Sequence, residues 1–206
     1  MKHEITSLNT KRTLAESLKN VMKRKSFSKI TVSEIIADCG LNRKTFYYHF
    51  EDIFSLLKWM FESEAIEVVK QFDLLVEYEE ALAFIMDYIE QNDYILSCAY
   101  DDIGRDQMKR FFFADFIELI ASLIDSAERE AGRCLDAEYK QFLGCFYTEA
   151  LAGMLLDWMK NYKDRNRQQV IDYLVHTMKA SMTGILTQAP VREAIQGKAT
   201  EEAPLA

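Results

Sequence analysis

The sequence predicts an all-α fold, because helix-breaking residues are scarce, apolar residues recur at helical spacing, and capping signals mark the helix ends. No proline precedes Pro190 in the 206 residues, and only Gly40 and Gly104 precede residue 132. Strands and hairpins depend on such residues at their turns, so the turn signals of a β fold are almost absent. We therefore expect a small three-helix head at the N-terminus and a larger helical body after it.

An apolar stripe and a capping box mark the first two helices. A helix over roughly residues 10–25 is predicted by apolar residues at i, i+4, i+7 and i+8, namely Leu14, Leu18, Val21 and Met22. Thr31 and Glu34 have the T-x-x-E spacing of a capping box, which predicts the start of a second helix. Gly40 stands where a C-cap glycine would end that helix.

A third helix and a long linking helix are expected next. Asn42 is a good N-cap for a helix over 43–50, in which Phe46 and Phe50 lie four residues apart and face the core. A linking helix over 52–72 is predicted by a second stripe of apolar residues: Phe54, Leu57, Phe61, Ala65, Val68 and Phe72.

The remaining chain predicts a body of four longer helices joined by polar loops. We place them at roughly 78–99, 105–130, 136–162 and 167–188. The last carries a clean apolar stripe of Ile171, Leu174, Val175, Met178, Met182 and Ile185. The expected division is thus a head, a linking helix, a body and a polar tail, at 1–50, 52–72, 73–188 and 189–206.

Charge is distributed unevenly along the chain. Residues 1–50 contain ten Lys/Arg and four Asp/Glu, a net charge of +6, whereas the remainder holds 15 basic and 29 acidic residues, a net charge of −14. This asymmetry suggests a basic head with a polyanionic partner and an acidic body with another task. The alternative is an accidental cluster on a solvated helix, and charge alone does not decide between them.

Two short helices joined by a glycine-containing turn, with a supporting helix before them, predict a helix-turn-helix. The second helix of such a motif enters the major groove of DNA and presents its N-terminal residues to base edges. Those residues here are Arg43, Lys44 and Thr45, and arginine can pair with guanine through two hydrogen bonds. Three polar side chains that follow could donate to phosphates: Tyr47, Tyr48 and His49.

The segment ITVSEIIADCGLNRKTFYYHF at 30–50, with KSF at 25–27, resembles the signature of the TetR family of bacterial regulators. The resemblance covers about residues 10–60, a quarter of the chain. It implies a homodimer with a three-helix DNA-binding head and a body that binds an effector and dimerises. It therefore implies double-stranded operator DNA as a partner and a transcription regulator, most often a repressor.

The family's positions can be carried over residue by residue. Base-reading positions fall on Ser33, Arg43 and Thr45, and phosphate contacts fall on the three side chains named above. The complete predicted DNA-binding set is Ser33, Asn42, Arg43, Lys44, Thr45, Tyr47, Tyr48 and His49. The sequence departs from the family at Ile53, where many members have a lysine that touches phosphate, so one contact is expected to be missing.

Some of these residues have a structural alternative. His49 is either a phosphate donor or a half-buried structural histidine. Tyr47 and Tyr48 cannot both face the core together with Phe46 and Phe50, because adjacent helical positions diverge by about 100°. At least one tyrosine must therefore point outward.

The effector of the body stays open at this level. Residues 58–61 and 153–158 are similar to a Gram-positive subgroup that includes the activator of dihydroxyacetone kinase operons, which implies that the signal could be a partner protein instead of a small molecule. Several large residues either line an effector cavity or form plain core: Trp59, Met86, Tyr94, Phe112, Phe116, Tyr147 and Trp158.

For dimerisation, the stripe of the last helix is the better candidate interface. Small residues at Gly144, Ala152 and Gly153 fit either a close dimer contact or an internal helix crossing.

Other classes of protein are disfavoured. Four scattered cysteines, Cys39, Cys98, Cys134 and Cys145, form no zinc-ligand spacing and suit a reducing cytosol. The N-terminal residues have no apolar signal region, and no run of about 18 apolar residues predicts a membrane span. No catalytic constellation, phosphate loop or metal spacing is evident. We expect a cytoplasmic protein that is not an enzyme and has no cofactor or metal.

Overall fold

The computed structural model describes residues 2–188, which form nine α-helices and no strand. The all-α class is thereby confirmed, and the predicted tail lies outside the described residues. The helices are α1 (Lys2–Met22), α2 (Val32–Cys39), α3 (Arg43–His49), α4 (Ile53–Phe61), α5 (Tyr78–Gln91), α6 (Asp93–Ile103), α7 (Arg105–Ala131), α8 (Ala137–Asn161) and α9 (Arg167–Gln188).

The head consists of α1, α2 and α3 around a closed apolar centre. Phe46 is fully buried and Phe50 nearly so, as predicted. The Ser17 hydroxyl of α1 donates a buried hydrogen bond of 2.6 Å to the Ile35 carbonyl of α2, which fixes these two helices against each other. The first helix begins at Lys2, well before the predicted start near residue 10.

The linking helix differs from its prediction because it is not a regular α-helix. After α4 the backbone makes a π-helical turn, Glu62–Ile66, in which the N–H of Glu67 bonds to the carbonyl of Glu62, five residues back. A last short turn, Glu67–Val69, follows. Helical structure therefore ends at residue 69 and not at 72.

The extra residue of the π-helical turn changes which side chains are buried. Buried positions come in pairs that step by four residues and then by five: Leu56 and Leu57, Met60 and Phe61, Ala65 and Ile66. The predicted stripe assumed a regular α-helix throughout and was wrong at both ends. Phe54 is exposed, and Val69 is buried in place of Val68.

The predicted helix over 78–99 is two helices, because the chain breaks at Asn92. The Asn92 side-chain amide donates to the Tyr88 carbonyl at 2.9 Å, which satisfies the end of α5. The Asn92 carbonyl then accepts from the backbone of the first turn of α6. This break turns α6 back onto the head, where Asp102 accepts a 2.9 Å hydrogen bond from the backbone N–H of Ser28.

Helices α7 and α8 form a long pair, joined by a tight turn in which Gly132 has φ +60°. The turn is tied by Glu128, which accepts from the backbone N–H of Leu135 and from Lys140. Gly144 and Ala152 are buried on α8, and a Cβ at Gly144 would lie 4.0 Å from Ile117 of α7. These small residues therefore serve an internal crossing.

The apolar stripe of α9 faces the protein's own body. Ile171, Leu174 and Val175 pack on the main core, and Met178 and Met182 pack on a second cluster with α7 and α8. The expectation that this stripe takes part in the dimer interface stays a prediction. Only Ile171 is fully buried by this packing, and the rest of the stripe is half-buried.

The capping box of α2 generates a prediction on pH. Glu34 accepts from the Thr31 N–H and pairs with Lys25 at 2.7 Å, and these contacts lower the pKa of the Glu34 carboxyl from 4.5 to about 2, with the Lys25 hydrogen bond as the largest cause. A lowered pKa stabilises the fold above the ordinary pKa, and this stability is lost as the pH falls.

We therefore expect Glu34→Gln to be less stable than the native chain at pH 6, and the difference to shrink as the pH falls from about 4.5 toward 2. Urea unfolding followed by circular dichroism at pH 6 and pH 3 measures this difference. A stability gap that is equal at both pH values would show that the charge of Glu34 contributes nothing.

Candidate nucleic-acid interface

The start of α3 lies beside the start of α2 on the surface of the head. Ser33, Arg43 and Lys44 are exposed, and the Arg43 guanidinium donates to the Ser33 hydroxyl at 3.3 Å. Two of the predicted base-reading residues, from different helices, thus meet at one place. We call the eight predicted residues of α2, α3 and the turn between them, listed above, the recognition surface.

Asn42 and Thr45 are joined by the cap of α3. The Asn42 side-chain oxygen accepts from the Thr45 N–H at 2.9 Å and from the Thr45 hydroxyl at 3.1 Å. Because the Thr45 hydroxyl donates inward, its oxygen keeps lone pairs for a donor outside the protein. The Asn42 amide nitrogen keeps two hydrogens, which suit an acceptor such as a phosphate oxygen.

The aromatic residues of α3 divide between core and solvent. Phe46 is buried, whereas the exposed fractions of Tyr47 and Tyr48 are 52% and 70%. Both tyrosines therefore point outward, whereas helical geometry required this of at least one of them. His49 is half-buried, with its ring centroid 4.9 Å from that of Tyr48. Exposed phenols next to a basic helix start are suited to hydrogen bonding with phosphates.

The turn between α2 and α3 fixes the angle at which α3 projects. Gly40 has φ +68°, a conformation that glycine adopts without strain, and the next N–H, of Leu41, bonds to the Ile36 carbonyl at 3.0 Å. Since the core side of α3 is held by Phe46, its opposite side is left to solvent.

Charge on the head is partly neutralised away from the recognition surface. Lys19, Arg24 and Lys25 each pair with a carboxylate of the chain. Helix α3 itself contains no acidic residue. The positive charge of Arg43 and Lys44 is therefore concentrated where a phosphate backbone would approach.

Sequence reasoning missed the contacts that join the head to the body. Lys19 of α1 and Tyr88 of α5 both bind the carboxylate of Glu64, which lies on the π-helical turn. Asp102 of α6 holds the turn at Ser28. These pairs are distant in sequence, and the local patterns contain no signal for them.

The body contains a small apolar cavity of about 50 Å³. Of the seven residues proposed for an effector pocket, Phe112 and Phe116 line it. Met86 and Trp158 are buried in the main core, and Tyr147 donates to Ser181 at 2.8 Å. The cavity walls come from the linking helix and from α5 to α8: Phe61, Ala65, Ile66, Ile85, Tyr88, Ile89, Leu96, Lys109, Phe112, Phe116, Ala152, Leu155, Leu156 and Met159.

Residues 2–188 show neither a membrane-spanning helix nor a metal-binding group of side chains. No helix in this range is long and apolar enough to cross a membrane. Within the same part of the chain, His, Cys, Asp and Glu side chains form no group of three or more that could hold a metal ion.

The fold and the recognition surface define a helix-turn-helix protein with a helical body. A family model of the TetR type, described as transcriptional regulator C-terminal region, matches residues 77–180, just over half of the chain. The chain therefore belongs to the TetR family of transcriptional regulators. Accordingly, it is a regulator and not an enzyme.

Individual relatives agree with this assignment. The chain is 23% identical over 144 residues to the HTH-type dhaKLM operon transcriptional activator DhaS of Lactococcus lactis subsp. lactis (strain IL1403), a match covering 70% of this chain and 75% of that protein. A solved dihydroxyacetone kinase operon activator DhaS shares the fold with a TM-score of 0.66 at 18% identity, covering 84% of this chain and 96% of the other.

A second solved structure has the same fold. NalD, the secondary repressor of the MexAB-OprM multidrug efflux pump in Pseudomonas aeruginosa, has a TM-score of 0.57 at 16% identity, covering 85% of this chain and 96% of the other. At this level of identity the likeness concerns the fold alone.

The recognition surface generates a prediction on sequence preference. Arg43→Ala should cost about 1–3 kcal/mol of binding free energy on the cognate site and relax the preference at one base pair per half-site, because arginine pairs bidentately with guanine. Tyr47→Phe should instead weaken cognate and altered sites evenly, since it removes a phosphate donor. Fluorescence anisotropy on the cognate site and its single-base variants measures both.

Phe46→Ala is the matched control on the same helix. It opens a cavity in the head and should destabilise the fold by about 3–5 kcal/mol, which circular dichroism detects without DNA. If Arg43→Ala folds normally and keeps the full base preference, Arg43 does not read a base.

Proposed function

We propose that the chain is a sequence-specific DNA-binding regulator whose α3 enters the major groove of operator DNA. The observation that carries this proposal is the recognition surface, where Arg43 meets Ser33 and Thr45 is held by Asn42 at the start of α3. In this proposal these three side chains face base edges. Tyr47, Tyr48 and His49 contact phosphates, with Asn42 and Lys44 beside them.

The acting form in this proposal is a homodimer that binds a near-palindromic site. Helix α8 supports it, because its outer face exposes a row of apolar side chains at helical spacing. Phe142 and Phe146 are 59% and 55% exposed and stack at 6.1 Å, and Met154 continues the row two turns later. Water-exposed aromatic rows of this kind mark association sites. We call Phe142, Cys145, Phe146 and Met154 the α8 row.

The signal received by the body is proposed to be a partner protein. The apolar cavity of about 50 Å³ has room for one or two water molecules, whereas sites for small-molecule ligands span roughly 300–1,000 Å³. Two larger clefts on the body, of about 400 and 320 Å³, are more open to solvent than this cavity. A small apolar effector is the alternative. The relatives differ in the sign of regulation, since DhaS is named an activator and NalD a repressor. The expectation of a repressor stays a prediction, to be checked by in vitro transcription from the operator.

Localisation in the cytoplasm belongs to the same proposal. All four cysteines are free thiols in the structure, which accords with a reducing compartment.

The proposed function predicts that DNA binding depends strongly on salt. A dimer with two basic heads should release counterions from DNA, so its affinity should fall about a thousandfold or more between roughly 50 and 200 mM salt. Gel shift against a duplex selected from a random library measures this decline. Absence of specific binding at low salt would contradict the proposed function.

The proposed dimer gives a prediction on the α8 row. Phe142→Asp with Phe146→Asp should yield monomers in sedimentation, because two buried and unpaired charges would have to enter an apolar interface. Val76→Asp is the control, since Val76 is also an exposed apolar residue but lies in the loop before α5. An unchanged dimer in the double variant would place the interface elsewhere.

A ligand screen distinguishes a partner protein from a small-molecule effector as the signal. Thermal shift of the purified dimer against a metabolite library should give no rise in Tm. A compound that raises Tm with increasing dose and also releases the operator would identify a small-molecule effector instead.

A further inference from the structure

The head is held on the body by the carboxylate of Glu64, where three helical segments meet. The Lys19 ammonium of α1 lies 2.6 Å from Glu64 Oε1, and the Tyr88 hydroxyl of α5 donates to Glu64 Oε2 at 3.0 Å. The Lys19 side chain is 15% exposed and that of Glu64 27%, so the pair is largely shielded from water. Each carboxylate oxygen of Glu64 thus accepts a hydrogen bond from a different part of the molecule, one from the head and one from the body.

Both donors keep their protons around neutral pH. Burial lowers the pKa of Lys19, but hydrogen bonds to Glu64 and Glu16 outweigh this effect, and the net pKa is raised. Burial, together with the Glu64 charge, raises the pKa of Tyr88. The junction between head and body therefore consists of the Lys19 ammonium and the Tyr88 phenol, both hydrogen-bonded to the Glu64 carboxylate. Charge-assisted hydrogen bonds of this kind are short and directional.

The π-helical turn is what places Glu64 in this position. In a regular α-helix Glu64 would follow Met60 by four residues and would lie in the buried row. The extra residue puts Ala65 in that row and moves Glu64 to its edge. π-Helical turns are rare and are frequently found at functional sites.

We infer that Glu64 is a positioning residue: it sets the orientation of the head on the body, and through it the half-site spacing that the dimer accepts. This inference rests on the proposed function, since spacing has meaning only for a dimer bound to DNA. In a twofold dimer joined through its bodies, a tilt of each head moves the two α3 helices in opposite directions. Half-sites must lie about one helical turn of DNA apart, so a small tilt changes the fit.

The test uses the full-length dimer and operators that differ only in spacing. A site is first selected from a random duplex library with the native protein, and its centre is then lengthened or shortened by one and two base pairs. The native dimer should prefer its own spacing by about tenfold or more, whereas Glu64→Ala should reduce this preference to about threefold or less. The penalty for a mismatched base within a half-site should stay unchanged.

Asp38→Asn is the matched control. It breaks the ion pair of Asp38 with Arg24, which joins α2 to the turn after α1 within the head, and should keep the native spacing profile. If Glu64→Ala keeps that profile as well, the inference is wrong. If the native protein selects no duplex at all, the proposed function fails instead.

Two milder variants keep the test decisive if Glu64→Ala does not fold. Lys19→Met and Tyr88→Phe each remove one donor from Glu64 and retain most of the side chain. Because both act through the same carboxylate, their effects on spacing preference should be non-additive in a double-mutant cycle. Strictly additive effects, or none, would overturn the inference, and a loss of thermal stability alone would not support it.

Discussion

The linking helix must present apolar side chains to the head and to the body at the same time, and the packing of both depends on how it does so. Near its start, Trp59 packs on Phe50 of the head with ring centroids 5.8 Å apart. Two residues later, Phe61 packs on Phe112 of the body at 5.5 Å. At the end of the π-helical turn, Ile66 joins a separate cluster with α5 and α7. One helix therefore contributes to two buried clusters. Its five-residue step at the π-helical turn keeps the apolar side chains before and after the turn directed toward their clusters.

A consequence is that the head is not an independent folding unit in its packing. The main core extends without a break from Leu14 in α1 to Ile171 in α9. About 50 residues bury too little apolar surface to be stable by a wide margin, so contacts with α4 and α6 supplement the head. The orientation of the recognition surface is then set by the same contacts that stabilise the head, among them Asp102 at Ser28.

Local signals were sufficient for much of the head and of the recognition surface. The capping box at Thr31 and the N-cap at Asn42 are short-range contacts, and the buried face of α3 follows from the spacing of Phe46 and Phe50. The π-helical turn was missed, although the apolar pairs step from Met60–Phe61 to Ala65–Ile66 by five residues. Periodicity does not show which segment packs on a predicted apolar face. It predicted an apolar stripe on α9, but not that this stripe packs in part on other helices of the same chain. The junction at Glu64 joins residues 24 and 45 positions away in the sequence, and only the tertiary fold brings them together.

The apolar cavity and the Glu64 junction share one side chain. The ring of Tyr88 forms part of the cavity wall with Phe61 and Phe112, while its hydroxyl binds Glu64. Closely packed interiors respond to a new contact by changing between discrete arrangements, because they have little free volume in which to deform continuously. A repacking of this aromatic layer would therefore move the Tyr88 hydroxyl relative to Glu64, and with it the contact that holds Lys19 of the head. This path is the same whether the layer is displaced by a partner protein pressing on the body or by a small apolar molecule entering it. The response of the head can thus be analysed through Glu64 before the signal itself is known.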